Sequence, residues 1–435
     1  MKKALLLITA SMFLTGTPSV VSAAQPSLLY RYKHFLFTAK PSPEWRTPER
    51  TWTFRGSPFV PPPSLLVDGD NVPSLPEGVE FRFTEGWNRN AIRGSLSTLV
   101  DEKIRRDPGS VIIRKSSTGA ITFDGVGLPG RRVDLDRATE LTVEALEQGV
   151  TDIVLPMIET QPKITVEDPE LRTLGIREVV TVGESNFNNS PANRRHNIGV
   201  GLAKFNGHLI PQGTVFSFDK TLGRVDGTTG YRKELVIKGD RTEPDYGGGL
   251  CQVSTTAYRG VWEYGFPIVK RINHSYQVSH YFPQGTDATV YPPNVDMQFL
   301  NDSPGALLMQ TYKEGDLAYF IYFGTDDGRR TNVLGPFLWG SSAPPPDRTE
   351  YTATDLKPGE RKKMGERVPG VKALWYRYVQ RTGTGETVES VFSNYEARPL
   401  YYLVGVEAMP ATGTGSAALP TLFMEDSLAP PTSGQ

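Results

Sequence analysis

The stretch Asp245-Tyr-Gly-Gly-Gly-Leu-Cys-Gln-Val-Ser-Thr-Thr256 holds the only cysteine of the 435-residue chain. Three consecutive glycines, Gly247, Gly248 and Gly249, remove side chains from the approach to one sulfur. Behind Cys251 the spacing of Val253, Ala257, Val261 and Tyr264 predicts a helix with one apolar face, closed by Gly265 and Pro267. A thiol on the first turn of a helix faces free backbone N–H groups and the positive end of the helix dipole, and both favour the thiolate. Two readings stay open on this stretch alone: an activated nucleophile, or a small buried apolar side chain.

The N-terminus weighs on that choice. Lys2 and Lys3 precede an apolar run from Ala4 to Leu14, followed by Gly16, Pro18 and the small residues Val21-Ser-Ala23-Ala24. This pattern predicts a signal peptide over residues 1–23, cut after Ala23 or Ala24, and an extracytoplasmic, wall-associated protein. The run is too short to span a bilayer, and no later segment reaches the ~20 apolar residues a membrane helix needs. In an exported chain one cysteine has no internal partner for a disulfide, which shifts weight toward a functional thiol.

Length and composition predict two to four domains of about 100–200 residues each and an α+β multidomain fold class. Net charge is −1 with no sustained basic run, so nucleic acid is not an expected partner. Residues 24–77 read as a proline-rich lead-in. Residues 78–176 read as an α+β domain, with an amphipathic helix on Ile92, Leu96, Leu99, Val100 and Ile104, strands near 110–114 and 120–123, a helix over 136–149 and a strand over 151–157. Gly125-Val-Gly-Leu-Pro-Gly130 spells a dinucleotide fingerprint in outline, but Pro129 and two arginines stand where the phosphate turn should enter a helix, so it reads as a turn. The polar run 186–193 reads as a linker before a mixed α+β unit of residues 187–325. A small all-β module comes next over 350–408, then a disordered tail over 409–435.

A cysteine nucleophile requires a base and an orienter for that base. His196, His208, His274 and His280 lie in the same predicted unit as Cys251. His274 and His280 would share one face of a continuous strand, and Asp287 is a candidate carboxylate orienter. A zinc site of Cys251, His274 and His280 lacks the short ligand spacings of such sites, so neither metal nor cofactor is expected.

Arg194-x-x-Asn-Ile198, Pro211-x-Gly-x-x-Phe-Ser217, Gly230-Tyr231, Gly247-Gly-Gly-x-Cys-Gln-Val-Ser-Thr255, His274-Ser275 and Gly285-x-Asp-Ala-Thr-Val290 together resemble the VanW-like family, named from an accessory protein of vancomycin-resistance clusters. Residues 78–176 resemble, more loosely, a peptidoglycan-binding domain often found upstream of such units. Residues 352–407 resemble the small glycine-marked β domain often found downstream. One departure is His280, which stands where a tyrosine or similar residue is expected.

Some VanW-domain proteins are understood to act as L,D-transpeptidases. The resemblance therefore implies peptidoglycan and its stem peptides as partners. It implies Cys251 as the nucleophile, His274 as the base and the amides of Gly249 to Gln252 as oxyanion donors. Ser254, Gln252, Asp287, Arg194 and Asn197 join Gly247, Gly248 and Gly249 as supporting or substrate-binding candidates. The alternative is a non-catalytic peptidoglycan-binding or antibiotic-resistance accessory module. Hydrolysis, transfer and oligomeric state are not separated by the sequence.

Overall fold

The computed structural model describes residues 27–62, 75–238, 241–346, 348–353, 356–363, 366–381, 383 and 385–406. The expected signal peptide and C-terminal tail lie outside them. Helix and strand are mixed throughout, in several small sheets. The described chain falls into two compact units, one holding residues up to 344 together with 368–398, the other holding 345–367 and the residues after 398. Among the described residues no helix is long and apolar enough to cross a membrane.

The lead-in is corrected: residues 28–58 are not a bare extended arm. Leu28–Tyr32 pairs antiparallel with Phe35–Ala39 and parallel with Asp152–Val154. Arg46–Phe54 pairs along its whole length with Val79–Trp87. The cause is apolar burial. Leu28, Tyr30 and Trp45 enter one core with Ile92, Leu96, Val100 and Ile104, the stripe that predicted the first helix. The second helix, Leu135–Gln148, is capped by Asp134, whose side chain accepts from the Arg137 amide, and stops at Gly149 in the left-handed region. Gly125–Gly130 runs from one strand into another, Gly130–Val133, so no phosphate-binding helix follows it.

The boundary expected at 186–193 is also corrected. Strand Glu178–Asn186 passes through a short turn into helix Ala192–Ala203. One apolar cluster joins Val111, Ile113, Leu171 and Ile176 to Leu308, Tyr319, Ile321 and Phe323. Residues 78–176 therefore share a core with strands that lie beyond the polar run. The separate-domain reading fails because the inward residues on both sides of that run need each other for burial.

The sheet at the centre has strand order Glu178–Asn186, Leu317–Gly324, Leu307–Glu314, Leu209–Ile210, all antiparallel. Across it lies the site helix, Leu250–Tyr264. Thirteen of its fifteen residues are buried, far more than the single stripe its sequence spacing suggested. Glycines on both partners allow the contact: a Cβ on Gly183 would sit 1.9 Å from the Thr256 carbonyl oxygen, and one on Gly260 would meet the Gly183 backbone at 2.6 Å.

The expected all-β module divides. Gly370–Arg381 and Gly385–Tyr395 form a hairpin that extends the strand Arg330–Ser342 in the first unit. Its alternating inward residues pack beside the site helix. Trp375 is fully buried against Trp262. Arg377 donates to the carbonyls of Trp262 and Phe266 at 2.7 and 2.8 Å, satisfying acceptors at the helix C-terminus. In the second unit, Arg348–Ala353 pairs parallel with Leu400–Gly405, which pairs antiparallel with Arg361–Lys363.

Candidate active site

The site begins with the glycine turn. Gly247 and Gly249 have φ of +85° and +114°, a region that favours glycine. A Cβ at Gly248 would meet the Leu235 carbonyl oxygen at 2.7 Å, and one at Gly249 would meet Arg194 and Ile198 at 3.1 Å. Asn197 fastens the turn from behind, donating to the Gly248 carbonyl at 3.1 Å and to the Arg232 carbonyl at 2.9 Å. Gln252 is buried and bonded to Ser185, Asn186 and Arg194. Ser254 is buried in the helix packing. Asn197, Gln252 and Ser254 are thus interior residues that do not line the cleft, whereas Arg194 and the three glycines do.

Cys251 is half-buried on the first turn of the helix. Its Sγ lies 3.4 Å from Thr289 Oγ1 and 3.6 Å from the Val290 carbonyl. The segment carrying these groups is held by Thr255, whose hydroxyl accepts from the Ala288 amide at 3.0 Å. Arg259 holds the loop leading into it, donating to the carbonyls of Tyr281 and Thr286.

His274 is buried. Its Nδ1 and its backbone N–H both bond Asp287 Oδ2, at 2.5 and 2.8 Å. Asp287 Oδ1 accepts from Arg271 at 3.1 Å and from the Tyr395 hydroxyl. The imidazole stacks on Tyr281 with centroids 4.6 Å apart. This leaves Nε2, which is buried and has no hydrogen-bond partner. Asp287 therefore fixes the ring orientation, and Nε2 is the nitrogen available to the thiol.

Electrostatics at the three groups oppose burial and win. Burial works to push the Cys251 thiol up, but the nearby His274, with Thr289 behind it, leaves it below its ordinary value. Burial works to lower His274, but Asp287 and Cys251 outweigh it and push it up to about 9. Asp287 is held well below the usual carboxylate range: its own burial opposes this, and His274, Arg271 and Tyr395 overcome it. These directions favour the thiolate–imidazolium form of the pair, with Asp287 orienting the ring, and Cys251 and His274 titrate as a coupled pair.

His280 does not share a strand face with His274. Residues 279–281 form one 3₁₀ turn, Ser279–Tyr281, in which Tyr281 stacks on His274. His280 still lines the same cleft, and its burial, with the charge of Arg194, lowers it to about 4. Sequence reasoning missed Arg271, Thr289, Tyr281 and Tyr395. Thr289 stands inside a motif segment, Arg271 lies three residues before His274, Tyr281 directly follows His280, and Tyr395 carries no local signal.

The cleft in front of Cys251 has a volume of about 830 Å³. The glycine turn, Cys251, His274, His280 and Tyr281 line it, as do Val290 to Pro293 and the polar group Ser217, Asp219, Lys270, Asp296 and Gln298. A thiol at a helix start, a carboxylate-held histidine and an open cleft define the arrangement of a candidate cysteine–histidine site on an α+β scaffold.

Comparison with known proteins agrees with the motifs. The family model described as VanW like protein matches residues 193–322. The Uncharacterized protein YoaR of Bacillus subtilis is 30% identical over 234 residues, covering 52% of this chain and 72% of that protein. The Vancomycin B-type resistance protein VanW of Enterococcus faecalis is 28% identical over 142 residues, covering 31% of this chain and 46% of that one. The chain belongs to the VanW-like family. Tyr395 and the hairpin that carries it lie beyond the stretch that the family model matches.

Proposed function

We propose that this protein is an exported cysteine acyltransferase of the cell wall, an L,D-transpeptidase that joins peptidoglycan stem peptides through a thioacyl enzyme. The observation that carries the reading is the arrangement of Cys251, His274 and Asp287 around the free Nε2 at the edge of an open cleft. The N-terminal pattern of charged, apolar and small residues supports export, and the enterococcal relative is named as a vancomycin resistance protein, which supports a link of this family to that resistance.

The chemistry needs no cofactor. The Cys251 thiolate attacks a stem-peptide carbonyl carbon, and the C–S bond forms. The amides of Leu250 and Gln252 are already bonded to the Gly247 and Gly249 carbonyls, so the oxyanion donors are narrowed to the amides of Gly249 and Cys251. The His274 imidazolium then gives its proton to the departing amine, D-alanine leaves, and the stem remains on Cys251. In the second half, an amine from another stem's third residue attacks the thioester, and neutral His274 accepts a proton as the thiolate leaves.

Intact-mass measurement after incubation with tetrapeptide-stem muropeptides tests this. The expected result is an adduct on Cys251 with the mass of the stem less D-alanine, followed by cross-linked product. An unmodified protein with unchanged muropeptides sinks the enzyme reading and leaves a binding module.

A further inference from the structure

Asp219 is a charged group of the cleft with no task in the acyl-transfer steps. Both of its carboxylate oxygens are shielded from solvent, and neither has a hydrogen-bond partner. A shielded carboxylate without donors is costly and rare, yet this one lines the same cleft as Cys251 and His274. Its neighbour Asp296 is the opposite case. Asp296 accepts from the Ser217 hydroxyl at 2.6 Å, from the Asp219 backbone N–H at 2.9 Å and from the Gln298 amide at 2.8 Å. Asp296 is thus locked in place, while the Asp219 oxygens keep their full capacity to accept.

The charges acting on Asp219 are those of Asp296 and Lys270. Its burial and Asp296 push its carboxyl up to about 7, and Lys270 pulls the other way. Asp296 and Lys270 act on it in opposite directions, so a cation that reaches Asp219 would meet a carboxyl that ionises fully when a positive partner is present. Among the described residues no cluster of three or more His, Cys, Asp or Glu is placed to hold a metal ion, so an organic cation is the better fit. A primary ammonium brings one positive charge and three N–H donors.

We propose that Asp219, backed by Asp296, is the acceptor subsite of the cleft and receives the primary ammonium that attacks the thioacyl enzyme. The proposal rests on the thioacyl reading of the site. An ammonium cannot attack, so it first transfers one proton to the Asp219 carboxylate. The freed lone pair forms the C–N bond at the thioester carbon. The C–S bond breaks, Cys251 leaves as thiolate, and the second amine proton passes to neutral His274. The third stays on the new amide, and Asp219 returns its proton to solvent.

The test charges the chain from residue 24 onward, and its Asp219→Asn form, with a tetrapeptide-stem muropeptide. Each is then chased with an acceptor peptide bearing a free side-chain amine. Asp219→Asn is expected to form the Cys251 adduct within about threefold of the normal rate but to pass it to the amine at least ~30-fold more slowly. Equal transfer overturns the subsite and leaves the thioacyl reading intact. If no adduct forms on either protein, the thioacyl reading fails, and the subsite is decided by binding to Cys251→Ala. There the free-amine peptide is expected to bind about tenfold more tightly than its N-acetylated form. Equal binding overturns the subsite. The same pair of peptides decides the matter without Asp219→Asn if that variant does not fold.

Discussion

Two cavities of the first unit gather charged side chains, and they treat them differently. The first, of about 440 Å³, is lined by Arg31, His34, Arg106, Arg131, Glu184 and Glu263 among others. There the charges answer one another. Arg131 bonds Glu184 at 2.8 and 3.1 Å, Arg106 reaches the same carboxylate, and His34 bonds Glu263 at 2.9 Å. Glu263 Oε2 is the one oxygen of that pair left over. In the cleft, by contrast, His274 Nε2 and both Asp219 oxygens lack partners. Charge density does not separate the two cavities. Their unpartnered atoms do: among the described residues, one oxygen of a paired carboxylate in the first, and three atoms on two titratable groups in the cleft.

Four measurements strain that contrast, the largest expected effect first. Cys251→Ala removes the nucleophile, so covalent capture of a stem should fall by roughly 10⁴ or more. The melting temperature should hardly move, since a half-buried thiol loses only about 1 kcal/mol or less. A large loss of stability with normal wall chemistry would put Cys251 among the packing residues instead.

His274→Ala should lower turnover by about 100-fold or more, and His280→Ala much less. With His274 in place, the thiolate–imidazolium pair sets the pH profile. Activity should rise from acid pH as the pair forms and fall again as pH passes about 9, where His274 gives up its proton. The sign for stability is the same: a His pKa raised in the fold stabilises fully below pH 6.5, its ordinary value, and that contribution is lost as pH rises through about 9. A rate that keeps climbing above that pH would remove His274 from the pair.

Tyr395→Phe removes one of the two donors to Asp287 Oδ1 and the acceptor of the Gly285 amide. About a tenfold loss of turnover and about 1–3 kcal/mol of stability are expected. An unaffected rate would mean that Arg271 alone orients Asp287. Glu184→Gln should show the opposite signature: about 2–4 kcal/mol of stability lost, because Arg131 is left buried with a neutral partner, and turnover within about twofold. If Glu184→Gln were catalytically dead but stable, the distinction between the two cavities would collapse.

Legibility in the sequence varies with the range of the interaction. The helix after Cys251, the stripe at Ile92 to Ile104 and the Asp287 orienter are readable, because each depends on spacing within one segment or on a motif inside the family stretch. The lead-in is misread because prolines punctuate it, while the side chains that pull it into the core act over more than a hundred residues: Tyr30 bonds Thr142, and Arg31 bonds Asp152. The β module is misread for a similar reason. Alternation in 370–381 predicts strands correctly but does not say which core receives their inward faces.

The sequence by itself determined the chemistry on offer: one thiol placed after three glycines, a helix behind it, and a histidine and an aspartate nearby in the same unit. Local backbone preference and side-chain type suffice for that. Tertiary structure alone decided which atoms are free. It turned Gln252, Ser254 and Asn197 inward as scaffold, brought Tyr395 across 108 residues to Asp287, and left His274 Nε2 and Asp219 facing unfilled valences. Hydrogen-bond satisfaction and burial are properties of the packed whole, so no pattern along the chain could have stated them.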